Sequence, residues 1–154
     1  MHVAGFMVKG KFGRFWTHAV ERLFDLDKIT FEDILIRESV IGDIMDFAQE
    51  NHPKEFVAFF HGIIRKKQLI IDALVYNEFS ASENSAAPIF HFADKSFYGS
   101  VHSHPGPSNR PSRADISFFH KTGIIHAIIC RPYTRESVRF YTQNGEPVTI
   151  KTIP

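Results

Sequence analysis

Three apolar runs constrain this chain most: Phe56 to Phe60, Leu69 to Tyr76 and Ile124 to Cys130. A strand with one wet face alternates apolar and polar residues, whereas near-continuous runs of this length read as strands buried on both faces. Such a sheet needs helices to cover it. Ile41, Ile44, Met45 and Ala48 supply one helical stripe, with Ser39 as its expected cap and an end near Asn51, because Pro53 pushes His52 out of helical geometry. A second helix is expected from a Ser112 cap to about Thr122. Further strands are expected at Ile89 to Phe92, Phe97 to Ser103, Val138 to Thr142 and, after the Asn144-Gly145 turn, Pro147 to Ile153. Residues 77–87, rich in Ser, Ala, Asn and Glu, read as a loop, and so do Gly106 to Pro111. The fold class is α/β, an α+β sandwich with a mixed, mostly hydrophobic β-sheet flanked by helices.

The chain's 154 residues suit one domain, and its sixteen phenylalanines favour a dense core or a sticky surface over a tail. A net charge of +1 gives no global pull toward nucleic acid or anionic lipid. The single cysteine, Cys130, permits no internal disulfide and no thiol-rich metal site. No stretch is long and apolar enough to span a bilayer, so a soluble cytoplasmic protein is expected. Residues 1–37 read as an N-terminal extension, with a short helix around Val20, Leu23 and Phe24 and a lead-in strand around Phe31, Ile34 and Ile36; residues 38–154 read as the main domain. The extension's apolar residues, among them Phe6, Phe12, Phe15 and Trp16, need a cover, either the chain's own domain or a second subunit in a homodimer.

The chemistry concentrates in His102-Ser103-His104-Pro105 and, after a loop, Ser112-Arg113-Ala114-Asp115. Histidines at i and i+2 on a strand share a face, and both can reach one ion. Asp115, in the first turn of the following helix, can fold back toward them. Two imidazoles and a carboxylate make a three-ligand zinc shell whose fourth position is left for water, as a catalytic site requires. The Ser112–Asp115 pair also reads as an ordinary helix capping box. Cys130, in an apolar strand, reads as a small buried hydrophobe; His52, His61, His91, His120 and His126 read as packing residues.

His-Ser-His-Pro followed by Ser-x-x-Asp, with seven residues between His104 and Ser112, resembles the JAMM motif of the MPN+ metalloproteases. The stretch His52-Pro53-Lys54-Glu55-Phe56 resembles the family's upstream glutamate element in short archaeal and bacterial members. The resemblance runs from about Ser39 to the C-terminus and implies an MPN/JAB domain, which is said to resemble the cytidine-deaminase-like fold. A zinc deaminase itself would need a pair of cysteine ligands, which one cysteine excludes. The resemblance implies one Zn2+ per chain held by His102, His104 and Asp115. It also implies Glu55 as the general base, handing its proton to the leaving amine, and Ser112 as the donor to the oxyanion. A carboxylate beside an apolar strand is expected to be desolvated, which raises its pKa toward a useful value. Ser103, facing the other side of the strand, is assigned no catalytic role.

The family's substrates imply cleavage of the isopeptide or peptide bond after the C-terminal glycine of a ubiquitin-like modifier or sulfur-carrier protein. An extended Gly-Gly tail can lie along a sheet edge and pass a narrow cleft. Asp115 leads straight through its helix to Ile124 without an insertion, which resembles the compact prokaryotic members. Two rivals stand beside this: a non-catalytic MPN scaffold that only binds partners, and a nucleic-acid element in the basic aromatic leader from Phe6 to Trp16. All the motif's ligands are present, against the first; the leader has no surrounding RNA-binding fold, against the second.

Overall fold

The computed structural model describes residues 32–76 and 97–154. The expected helix near Val20 and the expected strand Ile89 to Phe92 lie outside these residues, as do the 77–87 loop and the extension's apolar leader. Strand β1 (Asp33–Arg37) runs without a turn into helix α1 (Glu38–Asn51), and β2 (Val57–Arg65) and β3 (Gln68–Tyr76) form a hairpin. Strand β4 (Phe97–His104) leads through a loop to α2 (Arg113–Thr122) and then β5 (Ile125–Cys130). A 3-10 turn (Arg135–Ser137), β6 (Val138–Thr142), β7 (Pro147–Val148) and β8 (Lys151–Ile153) complete the chain.

All eight strands join one mixed sheet in the order β7-β6-β5-β4-β2-β3-β1-β8. Only residues 149–150 separate β7 from β8, although these strands hold opposite ends of the order, so the sheet curls until its ends approach. The expected single last strand is therefore two: β7 continues the hairpin from β6, and β8 pairs parallel with β1. β1 also pairs parallel with β3, so the domain takes in Asp33–Arg37, ahead of the boundary read at residue 37. Ser39 is not the cap of α1. Arg37, in extended geometry, holds that position with no side-chain hydrogen bond, because β1 leaves no loop in which a cap could form.

The period-2 alternation of the central strands divides the core into two layers. Phe56, Phe60, Val101, Ile125, Ala127 and Ile129 pack with Val40, Ile41, Ile44 and Ala48 of α1. On the other face, Ile128 and Tyr141 pack with Phe119 of α2. Phe59 belongs to this second face, since its ring meets that of Phe118 at 6.4 Å. Phe59 of β2 and Ser100, His102 and His104 of β4 therefore point toward α2.

Two glycines set the turn that returns α2 to the sheet. Gly123, at φ +145°, lies so close to Gly99 that a Cβ on it would stand 2.5 Å from the Gly99 Cα. A Cβ on Gly99 would overlap the Ile125 carbonyl at 1.6 Å. Neither position admits a side chain.

Below α2, His126 is wholly buried; its ring stacks on Phe119 at 4.2 Å and bonds the Ser100 hydroxyl and the Gly123 carbonyl. Burial, against the Gly123 bond, pushes its pKa down to about 3, far below the ordinary value near 6.5. Between these values the unfolded chain takes up a proton that the folded chain refuses. Stability from this group is therefore complete above pH 6.5 and drains away as pH falls toward 3. Urea unfolding of metal-free protein between pH 6.5 and 4.5 should show a slope up to about 1.4 kcal/mol per pH unit shallower in His126→Gln. Identical slopes would show that His126 is protonated in the folded state.

Candidate metal centre

β4 and α2 meet at the mouth of the sheet. The register sets His102 beside Val57 of β2 and Ile128 of β5, and His104 beside Cys130. His102 and His104 share the face toward α2, as their i, i+2 spacing predicts. On α2, Asp115 and Phe119 lie one turn apart; Phe119 is fully buried against Ile128 and its ring centre is 6.0 Å from that of His102. Packing of Phe119 thus fixes the rotation of the helix and turns Asp115 onto the histidines.

The distances are short. His102 Nε2 lies 3.1 Å from His104 Nε2 and 3.1 Å from Asp115 Oδ1, and His104 Nε2 lies 3.6 Å from Asp115 Oδ2. Among the described residues, these three form a group whose ligand atoms all lie within 4.8 Å of one another. Zinc bonds of about 2.0–2.1 Å in tetrahedral array put neighbouring donor atoms roughly 3.3 Å apart. The separations of His102 Nε2 from His104 Nε2 and from Asp115 Oδ1, both 3.1 Å, lie close to that value. The donor set fits as well: His104 Nδ1 donates to the Ser108 carbonyl at 2.9 Å, which leaves the Nε2 lone pair turned inward.

Ser112 caps α2 as expected, in a full capping box: its hydroxyl accepts from Asp115 N–H at 3.1 Å, and Asp115 Oδ2 accepts from Ser112 N–H at 2.6 Å. The capping and ligand readings of Asp115 are therefore not alternatives, since the cap aims one carboxylate oxygen and leaves the other toward His102. Burial by itself would raise the Asp115 carboxyl, but bonds with His102 and Ser112 outweigh it and hold the group well below the usual carboxylate range. Because the Ser112 oxygen accepts from Asp115, its own O–H proton remains available to another acceptor.

Glu55 departs from its expectation in one respect. It lies in the irregular stretch ahead of β2 and is exposed, not covered by the strand. Ser103 N–H donates to the Phe56 carbonyl at 3.1 Å, which extends the β2–β4 pairing beyond Val57 and brings Glu55 level with His104.

The connecting loop is irregular but tied down. Arg131 N–H donates to the Gly106 carbonyl at 3.1 Å, Cys130 Sγ to Pro107 at 3.3 Å, and Tyr141 to Asn109 at 2.7 Å. Asn109 Nδ2 donates to Ser137 at 3.0 Å. Backbone carbonyls bonded to β5 and β6 hold this loop, and nothing local in the sequence signals them. Cys130 is buried as expected, and burial pushes its thiol pKa up. His61 pairs with Asp72 at 2.7 Å on the β2–β3 hairpin, away from the centre. Tyr133, whose hydroxyl sits 3.0 Å from His52 Nδ1 and 3.4 Å from the His104 carbonyl, was missed. No helix among the described residues is long and apolar enough to cross a membrane.

Known proteins resemble this chain in sequence and fold. Residues 37–142 match the family model for prokaryotic homologs of the JAB domain. A Haloferax volcanii protein named "probable metalloprotease" is 30% identical over 120 residues, covering 70% of this chain and 74% of its own length. The crystal structure of a JAB1/MPN domain protein from Archaeoglobus fulgidus superposes with TM-score 0.61 at 30% identity, over 79% of this chain and 98% of that one. A structure described as "JAMM: a metalloprotease-like zinc site in the proteasome and signalosome" superposes with TM-score 0.59 at 30% identity, over 79% and 99%. The mixed curled sheet with two helices and the match across residues 37–142 lead to one conclusion: this chain is a compact prokaryotic member of the JAMM/MPN (JAB domain) family.

Proposed function

We propose that this chain is a zinc-dependent hydrolase that cuts the peptide or isopeptide bond after the C-terminal glycine of a ubiquitin-like modifier or sulfur-carrier protein. The observation that carries the reading is the convergence of His102 Nε2, His104 Nε2 and the Asp115 carboxylate, whose Oδ1 lies 3.1 Å from the first and whose Oδ2 lies 3.6 Å from the second. Its second support is the zinc site and the metalloprotease name borne by relatives at 30% identity.

His102, His104 and Asp115 would hold the zinc. When bound, zinc in a three-ligand shell supplies Lewis acidity, both for polarising a carbonyl and for making water nucleophilic near neutral pH. Glu55 takes a proton from the attacking water as the new C–O bond forms, and gives it to the amine nitrogen as the C–N bond breaks. Ser112 donates its free O–H to the carbonyl oxygen as negative charge grows there.

Ser112→Ala should therefore keep its zinc and lose turnover on the order of tenfold to a hundredfold. Loss of the cap should also cost about 1 kcal/mol of stability. Native turnover with the same loss of stability would confine Ser112 to capping. The function is tested by incubating zinc-loaded protein with a ubiquitin-like protein fused through its Gly-Gly end to a reporter. Mass spectrometry should find cleavage after the last glycine, stopped by a chelator and restored by zinc. Cleavage elsewhere, or cleavage that survives full zinc removal, would contradict it.

A further inference from the structure

Glu55 has a demanding task and little of its own to hold it. It is exposed, it lies outside regular structure, and no hydrogen bond or ion pair holds its carboxylate among the described residues. Its aim must come from the backbone on either side. We propose that Ser103 and Tyr133 are positioning residues that clamp the segment from His52 to Phe56 onto the end of β4 and so aim Glu55 at the His102/His104 face. The inference rests on Glu55 as the proton carrier.

Downstream of Glu55 the clamp is Ser103. The regular β2–β4 register stops at Val57 and His102, and beyond it the Phe56 N–H finds the Ser103 hydroxyl at 3.0 Å. The Phe56 carbonyl accepts from Ser103 N–H at 3.1 Å, so one residue of β4 binds both backbone groups of Phe56. Ser103 is buried among apolar neighbours on the α1 face, where a hydroxyl is costly unless partnered. A purely packing position would suit alanine.

Upstream the clamp is Tyr133. Its O–H donates to the His104 carbonyl at 3.4 Å, leaving the phenolic oxygen to accept from His52 Nδ1–H at 3.0 Å. Tyr133 is itself held: the side chain is buried, its N–H donates to Cys130 at 2.8 Å, and its carbonyl accepts from Gln49 at 3.4 Å. Its φ of +61° is unfavourable for an aromatic residue and persists only where the surroundings demand it. The two clamps reach β4 at residues 103 and 104, beside the paired histidines. The segment carrying Glu55 is thus tied to the strand that carries the paired histidines, and a slip of about 1 Å at such a centre can cost on the order of a hundredfold in rate.

The test uses full-length zinc-loaded protein carrying Ser103→Ala or Tyr133→Phe, each alone and combined with Glu55→Gln. Each single variant should keep about one zinc per chain and lose about tenfold in turnover of the Gly-Gly fusion with KM unchanged. In the Glu55→Gln background neither should cause any further loss, because the group being aimed is gone. Amide exchange gives a readout free of activity: in Ser103→Ala the Phe56 amide should exchange at least about tenfold faster while β4 and β5 keep native rates. An equal proportional loss of turnover in both backgrounds overturns the proposal, and so does an unchanged Phe56 amide. Native turnover in Glu55→Gln itself would instead remove the base assignment, and the proposal with it. Should Ser103→Ala fail to fold, Tyr133→Phe, which deletes one oxygen and keeps the ring, decides by the same cycle.

Discussion

Glu55→Gln is expected to lower turnover by a hundredfold or more, on the usual scale for loss of a general base, while the protein keeps its zinc and its fold. Gln matches Glu in shape but cannot accept and return a proton. The exposure of Glu55 makes the result clean, since replacing an exposed residue outside regular structure disturbs stability little. KM should change by much less than turnover, because the group acts on the proton and not on the remote contacts of the substrate. Steady-state kinetics with zinc content measured on the same samples checks this. Turnover within a few-fold of native would move the proton to another residue.

His102→Ala and Asp115→Ala should each abolish stoichiometric zinc and, with it, turnover. Their effects on stability should differ. Asp115 is also the acceptor for Ser112 N–H at 2.6 Å, so its removal takes away both a ligand and half of the capping box. Metal-free Asp115→Ala should be destabilised by about 1 kcal/mol for the cap alone. Removal of zinc from the native protein should lower its melting temperature, because a ligand that binds only the folded chain stabilises it by mass action. In the two alanine variants, added zinc should leave the melting temperature unmoved. Full zinc retention in both would place the ligands elsewhere.

Much of this site was legible because its signals are local. The i, i+2 spacing of His102 and His104 places them on one face of any strand, and Ser112 followed three residues later by Asp115 starts a helix wherever it occurs. The apolar runs at Phe56–Phe60 and Ile124–Cys130 likewise had to become central strands. What was missed depends on residues distant in sequence. The loss of Ser39 as a cap follows from β1 joining the sheet, and the split between β7 and β8 follows from pairing at opposite ends of a curled sheet. The exposure of Glu55 and the bonds of Tyr133 to His52 and His104, 81 and 29 residues away, leave no periodic trace in the chain. Ser103 was correctly assigned to the face away from the histidines, but its hydroxyl's partner, the amide of Phe56, is invisible without the register.

X-ray absorption at the zinc edge of the native protein, loaded to one zinc per chain, tests the central claim most directly. The account predicts a shell of nitrogen and oxygen at about 2.0 Å with the outer scattering of two imidazoles and no sulfur. Cys130, the only cysteine, sits beside His104 in the β4–β5 register and is the one thiol within the sequence. A zinc–sulfur distance of about 2.3 Å, or the scattering of three or more imidazoles, would contradict the assignment of His102, His104 and Asp115 as the ligands.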